Sequence, residues 1–192
     1  MAITSISQLD PEGTYTYADY LTWQLKERVE LIKGKIFKMS PAPSKVHLQI
    51  ATKLTGLFWQ HFEQSNCHVF SAPFDVRLPV PSKEKEFTVV QPDLTIVCDS
   101  SKLDEQGCKG SPDLVIEIFL PGNTKKEMKE KYEVYEEAGV REYWLVEPND
   151  KAIFVYVLNE EGIFYGLRPR IEEEEMSSVI FPELTIDLKR VF

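Results

Sequence analysis

The segment 112–148 constrains the fold more than any other part of the sequence, because it predicts a strand, a helix and a second strand in succession. An apolar run at 113–119, rich in Val, Ile and Leu and bounded by prolines, is typical of a buried strand. A second apolar run at 140–146 predicts another strand, and Gly139 before it fits a helix C-terminus. This order, with short links, is the pattern of a parallel strand pair in an α/β sheet.

The helix between these strands has a defined start and a defined inner face. Thr124 and Glu127 form a capping box, and Asn123 is an alternative cap. Three residues at helical spacing mark the buried face: Met128, Tyr132 and Tyr135. Lys131 falls about 60° to one side of that stripe, so we expect its ammonium group to reach inward from the edge of the face.

One acid, Glu117, stands inside the first of these strands and requires compensation. A carboxylate in an apolar strand costs several kcal/mol unless it is paired, protonated or bound to a metal. Asp113 shares its strand and face but lies about 13 Å away, too far for both to bind one ion. Asp93, at a bend after Pro92, would lie about 4.8 Å away if the two strands pair. Asp93, Glu117 and a nearby Lys131 are a set of groups that suits metal-dependent phosphodiester hydrolysis.

Other elements surround this unit. The sequence predicts a short helix at 16–24, a hairpin at 29–39, a long helix at 44–62, strands at 68–80 and 87–98, a loop at 99–111, a strand at 152–158 continuing to 165, and a last strand at 185–188. Glu30 lies at the start of the first strand of the hairpin, where a solvated edge acid and a functional acid are about equally compatible with the pattern. His47 lies on the apolar side of the long helix, which favours a core or boundary histidine; it is also the histidine best placed for a phosphate or metal contact.

Composition sets limits on the class of protein. The 192 residues suit one domain over 1–192, with a flexible lead-in at 1–13. No apolar run approaches ~20 residues and no signal peptide begins the chain, so we expect a cytoplasmic protein without membrane contact. The three cysteines are irregularly spaced, which predicts reduced thiols. The net charge of −9 argues against a broad electrostatic grip on nucleic acid, so a nuclease would need a local basic rim or a metal.

Several tracts together resemble a known family. The tracts are VELIKGKI, the helix with His47, QPDLTIV, PDLVIEI, PGNT…K and EAGVREYWLVEP. Over residues 14–192 they resemble the Uma family of restriction-endonuclease-like proteins in the PD-(D/E)XK nuclease superfamily. The resemblance implies an α/β (mixed α+β) fold with a central mixed sheet flanked by helices, Mg²⁺ or Mn²⁺ as cofactor, DNA as partner and a homodimer.

The same resemblance assigns roles to individual residues. Asp93 and Glu117 match the metal carboxylates, and the backbone carbonyl of Ile118 is a usual third ligand. Glu30 matches an additional acid, which would bind a second metal or a water molecule.

Two positions depart from the superfamily pattern. Phe119 occupies the usual place of the lysine, which in the Uma-like pattern has moved to the helix as Lys131. Leu120 stands where the family usually has Ser, which implies either a weakened enzyme or only a lost supporting hydrogen bond.

Three hypotheses follow from the sequence. The first is a metal-dependent DNA endonuclease that uses Asp93, Glu117, Lys131 and Glu30. The second is a nuclease-fold binding module that no longer cuts. The third is an interaction protein whose acidic run at 172–175 meets a basic partner, although a solvated surface segment is the simpler interpretation of that run.

Overall fold

The computed structural model of the chain describes residues 2–39, 43–79, 85–119 and 125–192. The predicted caps Asn123 and Thr124, and Leu120, lie outside these residues. The helices are α1 (Tyr17–Tyr20), α2 (Lys45–Phe62) and α3 (Lys125–Ala138). The strands are β1 (Val29–Ile32), β2 (Lys35–Lys38), β3 (His68–Ser71), β4 (Val76–Leu78), β5 (Thr88–Val90), β6 (Leu94–Val97), β7 (Leu103–Asp104), β8 (Gly107–Lys109), β9 (Leu114–Ile118), β10 (Glu142–Glu147), β11 (Ala152–Leu158), β12 (Phe164–Gly166), β13 (Arg170–Ile171), β14 (Glu175–Ser177) and β15 (Thr185–Asp187).

The described strands form two large sheets and a small hairpin. Sheet 1 has the order β2-β1-β5-β4-β8-β7, and sheet 2 has the order β12-β11-β10-β9-β6-β3, with β13 also paired to β11. In sheet 2, β9 and β10 are parallel, whereas β6–β9 and β10–β11 are antiparallel. The predicted mixed sheet and the parallel pair around α3 are therefore confirmed.

Helices α2 and α3 cover opposite faces of sheet 2. Alternate residues of a strand point to opposite faces. Leu114, Ile116 and Ile118 of β9 belong to the same core cluster as the apolar stripe of α2. Val115 packs instead with Val134 of α3 and with residues of sheet 1. Glu117 shares the Val115 side of the strand, so it faces α3 and sheet 1.

Within the described residues the chain crosses between the two sheets four times, and at two of these crossings a single-strand prediction is wrong. The predicted strand 68–80 is split into β3 in sheet 2 and β4 in sheet 1, and the predicted strand 87–98 is split into β5 in sheet 1 and β6 in sheet 2. Pro73 and Pro92 lie at these two crossings, where a residue without an N–H cannot extend a ladder. The predicted bend at Pro92 is confirmed, and it places Asp93 directly before β6.

Three further predictions concern a hairpin, a loop and the first helix. The hairpin predicted at 29–39 is confirmed, and its turn residues Lys33 and Gly34 both have positive φ, 53° and 83°. The predicted loop 99–111 instead contains the hairpin β7–β8, whose strands are too short to give an alternating pattern. Gly107 fits there because a Cβ would come within 2.1 Å of the Asp75 carbonyl oxygen. The first helix covers only residues 17–20 of the predicted 16–24.

The prediction of three reduced cysteines is wrong for two of them. Cys67 and Cys98 are joined in a disulfide beside the antiparallel pair of β3 and β6, and Cys108 is a free, buried thiol. The spacing of the cysteines along the chain did not predict this disulfide, because the two residues are brought together by the pairing of β3 with β6.

The remaining predictions concern membrane contact, the N-terminal lead-in and the number of domains. Among the described residues, no helix is both long and apolar enough to cross a membrane. In the predicted lead-in, residues 6–8 form a 3-10 turn and Leu9 is buried. The single-domain assignment stays a prediction.

Candidate active site

Asp93 and Glu117 lie side by side at the end of the β6–β9 pair. The antiparallel register pairs Leu94 with Ile116, so one further residue in each strand brings Asp93 next to Glu117. Oδ2 of Asp93 accepts a hydrogen bond of 2.7 Å from the backbone N–H of Ile118. That bond fixes the Asp93 carboxylate to β9 itself, in the position that the sequence predicts.

Two side chains of α3 compensate the Glu117 carboxylate. Nζ of Lys131 lies 2.9 Å from Oε1 of Glu117, and the Tyr135 hydroxyl donates a hydrogen bond of 2.6 Å to the same oxygen. Residues four apart on a helix share a face, so one turn of α3 presents both groups to β9. The prediction that Lys131 reaches inward is confirmed.

A second carboxylate, from sheet 1, contacts the same ammonium group. Oε1 of Glu30 lies 3.1 Å from Nζ of Lys131 and accepts a hydrogen bond of 2.8 Å from the backbone N–H of Gln91. Glu30 is only 2% exposed, so it is no solvated edge acid. Lys131 therefore bridges β1 of sheet 1 and β9 of sheet 2 and holds the two sheets together at the site.

Burial and neighbouring charges together leave the pKa values of Glu117 and Lys131 both raised. Burial raises the pKa of Glu117; Lys131 opposes that shift, while Asp93 and Glu30 add to it, and the net pKa lies above the usual range. Burial lowers the pKa of Lys131, but Glu117 and Glu30 outweigh it and the net pKa is raised. Lys131 is thus a stable ammonium group at neutral pH.

His47 contacts Asp93 from α2. Ser44 caps this helix by accepting a hydrogen bond from the His47 backbone N–H, as the sequence predicts. Nε2 of His47 lies 3.2 Å from both oxygens of the Asp93 carboxylate. Within the described part of the chain, Nδ1 of His47 is buried without a hydrogen-bond partner. Its predicted phosphate contact stays a prediction.

The donor set at this position suits a hard divalent cation. Among the described residues, no three His, Cys, Asp or Glu side chains form a metal-binding group. The site instead offers two adjacent, partly exposed carboxylates, with side-chain exposures of 18% for Asp93 and 13% for Glu117. Mg²⁺ is commonly bound through one or two carboxylates and keeps several waters, so this smaller set fits it. Ligation by the Ile118 carbonyl stays a prediction.

Comparison with known proteins assigns the family. A model of the Uma2 family, described as putative restriction endonucleases, matches residues 17–189. The chain belongs to this family. The resemblance seen in the sequence is thereby confirmed, and the family description supports a nuclease.

Two similar proteins agree with this assignment. An uncharacterized protein of Synechocystis is 25% identical over 147 residues, which cover 75% of this chain and 74% of that protein. The crystal structure of a putative nuclease belonging to DUF820 from Anabaena variabilis superposes with a TM-score of 0.71 at 20% identity, covering 93% of this chain and 97% of that one. This second likeness confirms the mixed α+β fold.

In this Uma2 protein, the predicted site residues Asp93, Glu117, Lys131, Glu30 and His47 all come together. Asp113, which the strand spacing excludes, is engaged elsewhere, with the Cys98 backbone N–H and the Arg141 guanidinium. Sequence reasoning missed two members of the cluster. Tyr135 could have been found, because it stands four residues after Lys131, but Gln91 acts through its backbone and gives no signal.

The acidic run at 172–175 is a surface segment with cationic partners of its own. Glu172 pairs with Lys151 at 2.7 Å, and Glu174 pairs with Arg168 at 2.5 Å. These intramolecular pairs agree with the simpler interpretation of the run.

Proposed function

We propose that this protein is a metal-dependent endonuclease that hydrolyses DNA phosphodiester bonds. The observation that carries the proposal is the arrangement of Asp93 and Glu117 on adjacent strand ends, with the Lys131 ammonium group 2.9 Å from Glu117. A buried strand position is an expensive place for an acid, and a binding role for Glu117 explains why it is there.

Each residue of the cluster has a distinct role in this proposal. Asp93 and Glu117 hold Mg²⁺ or Mn²⁺, with the carbonyl of Ile118 as the additional ligand. The cation, when bound, supplies positive charge to the phosphate and makes a water molecule more acidic. Lys131 assists the attacking water and opposes the negative charge that develops on the phosphate. Glu30 holds Lys131 from its other side.

The experiment is a plasmid-cleavage assay with Mg²⁺ or Mn²⁺, paired with a calorimetric Mn²⁺ titration. Asp93→Asn and Glu117→Gln remove one ligand charge each with little change of shape. Both variants are expected to lose Mn²⁺ binding and cleavage while circular dichroism shows a retained fold. Glu160→Gln, on an exposed turn, is the matched control and should behave as wild type. Cleavage that survives Glu117→Gln would refute the proposal.

A second candidate is a nuclease-fold binding module that does not cut. It is favoured by the ion pairs of Lys131, which compensate both Glu117 and Glu30 without a metal. This candidate predicts nucleic-acid or protein binding that persists in EDTA and no cleavage with any divalent metal. The homodimer and the cytoplasmic location stay predictions under either candidate.

A further inference from the structure

A groove of about 580 Å³ runs from the candidate active site along the outer side of α2. Asp93 and His47 line it, and so does Trp59, twelve residues after His47 on the same helix. At 1.5 Å per residue, these two α2 positions are about 18 Å apart along the axis. The groove is therefore continuous with the proposed site and longer than a single nucleotide.

The α2 wall of the groove carries an indole that is largely exposed among the described residues. Trp59 is 58% exposed and Leu48 is 52% exposed, although both are large apolar side chains. With Thr52 and Thr55 between them, these residues follow the three- and four-residue spacing of one helix face. This face is separate from the apolar stripe that packs on sheet 2.

The charge of the groove argues against an intact double helix as its occupant. Arg28 is the only Lys or Arg that lines it in the described chain. Binding a duplex depends on neutralising several phosphates with such cations. An unpaired strand is bound differently, since the stacking of each base on an aromatic side chain adds to the contacts that cations make with its backbone.

We propose that this groove binds an unpaired segment of the substrate strand, with a base stacked on Trp59 and the backbone leading to Asp93. The inference rests on the proposed nuclease function and deepens it: the preferred substrates are single-stranded DNA and duplexes with unpaired ends. His47, whose Nδ1 lacks a partner within the described residues, stands at the inner end of this path.

The test is fluorescence anisotropy in EDTA, where no cleavage occurs, with a labelled single-stranded oligonucleotide and the same sequence as a blunt duplex. Wild type is expected to bind the single strand at least tenfold more tightly. Trp59→Ala should weaken single-strand binding about tenfold, and Trp59→Phe, which keeps an aromatic face, should weaken it less. Tyr165→Ala is the matched control: this aromatic residue is 46% exposed on β12 and does not line the groove.

Equal affinity for single strand and duplex, or unchanged single-strand binding by Trp59→Ala, would overturn the inference. A change in the molecular mass in solution on Trp59→Ala would also overturn it, because the groove would then be an interface between copies of the chain. The outcome is separable from that of the nuclease proposal. Trp59-dependent binding without cleavage by any metal supports the groove and removes the nuclease. If duplex and single strand are cleaved equally, and cleavage depends on Glu117 but is unchanged in Trp59→Ala, the nuclease proposal is supported and the groove inference is refuted.

Discussion

Lys131 contacts carboxylates from two different sheets, and this explains why one cation matters to both the site and the fold. Its Nζ lies within 3.1 Å of an oxygen of Glu30 and of Glu117, and all three side chains are at most 13% exposed. Replacing a whole buried ion pair with apolar groups is often neutral, but removing one partner leaves an uncompensated charge. Lys131 compensates two such charges.

We expect Lys131→Met to lower the free energy of unfolding by about 3 kcal/mol, because Glu30 and Glu117 would face each other without a cation. Urea denaturation in EDTA at pH 8 measures this. Lys129→Met is the control on the same helix, since Lys129 is 75% exposed and pairs with Glu133 on the surface. That change should alter stability little. Equal losses in the two variants would show that Lys131 is an ordinary boundary lysine.

At the scale of elements, Glu142 attaches the C-terminal segment to sheet 2. It is fully buried at the start of β10 and accepts a hydrogen bond of 2.6 Å from the Trp144 indole. Its other oxygen accepts bonds from the Ser178 hydroxyl and from the backbone N–H groups of Val179 and Ile180. The carboxylate thus satisfies four donors that the packing removes from water.

Glu142→Gln should lower the free energy of unfolding by about 3 kcal/mol, because an amide NH₂ would face donors that need an acceptor. Hydrogen exchange should also show lost protection of the Val179 and Ile180 amides. Glu147→Gln is the control at the other end of β10, where the side chain accepts a hydrogen bond from the Asn149 backbone N–H near the surface. Retained protection at residues 179 and 180 would contradict the assigned role of Glu142.

Two glycines at the helices allow the effect of backbone conformation on stability to be distinguished from the effect of packing. A Cβ at Gly56, inside α2, or at Gly139, just after α3, would meet no atom within 4 Å, but only Gly139 has a positive φ, 84°. Gly56→Ala should therefore raise the free energy of unfolding by about 1 kcal/mol, and Gly139→Ala should lower it by about 1 kcal/mol. Urea midpoints of the two variants measure the difference. Shifts of the same sign would contradict this account.

The same local rules decide which elements were predictable. In the sequence, Ser44 marks the start of α2 and Gly139 marks the end of α3. The structure begins α2 directly after Ser44 and ends α3 directly before Gly139. The exchanges between sheets at Pro73 and Pro92 were missed, because strands of three or four residues give no pattern that tells one sheet from another. The Cys67–Cys98 disulfide depends on the same non-local pairing.

The site, like the fold, was predictable from the sequence only in part. Asp93 and Glu117 could be paired from the sequence, because a strand pair places neighbours at a known spacing, and Lys131 follows from its angle on α3. Whether Glu30 was solvated or functional stayed open, because the answer depends on how sheet 1 packs against α3.

At the scale of the whole molecule, the net charge of −9 limits how nucleic acid can be held. The described lysines of the hairpin β1–β2 and of α3 do not form a free basic surface. Lys33 pairs with Glu137, Lys38 lies 3.9 Å from Glu27, and Lys126 lies 3.8 Å from Glu130. With Arg28 as the one described Lys or Arg that lines the groove, the binding proposed there depends more on stacking than on phosphate neutralisation.

This makes the salt dependence of binding a decisive measurement. For single strands, log K falls with log[salt] by about 0.7 per phosphate neutralised. With Arg28 as the groove's only described Lys or Arg, we expect a slope between about −0.7 and −1.4 for single-stranded DNA in NaCl and EDTA. Arg28→Gln should bring the slope about 0.7 closer to zero, whereas Lys126→Gln, outside the groove, should leave it unchanged. A slope steeper than about −3 that Lys126→Gln reduces would instead place the phosphates against α3 and the hairpin.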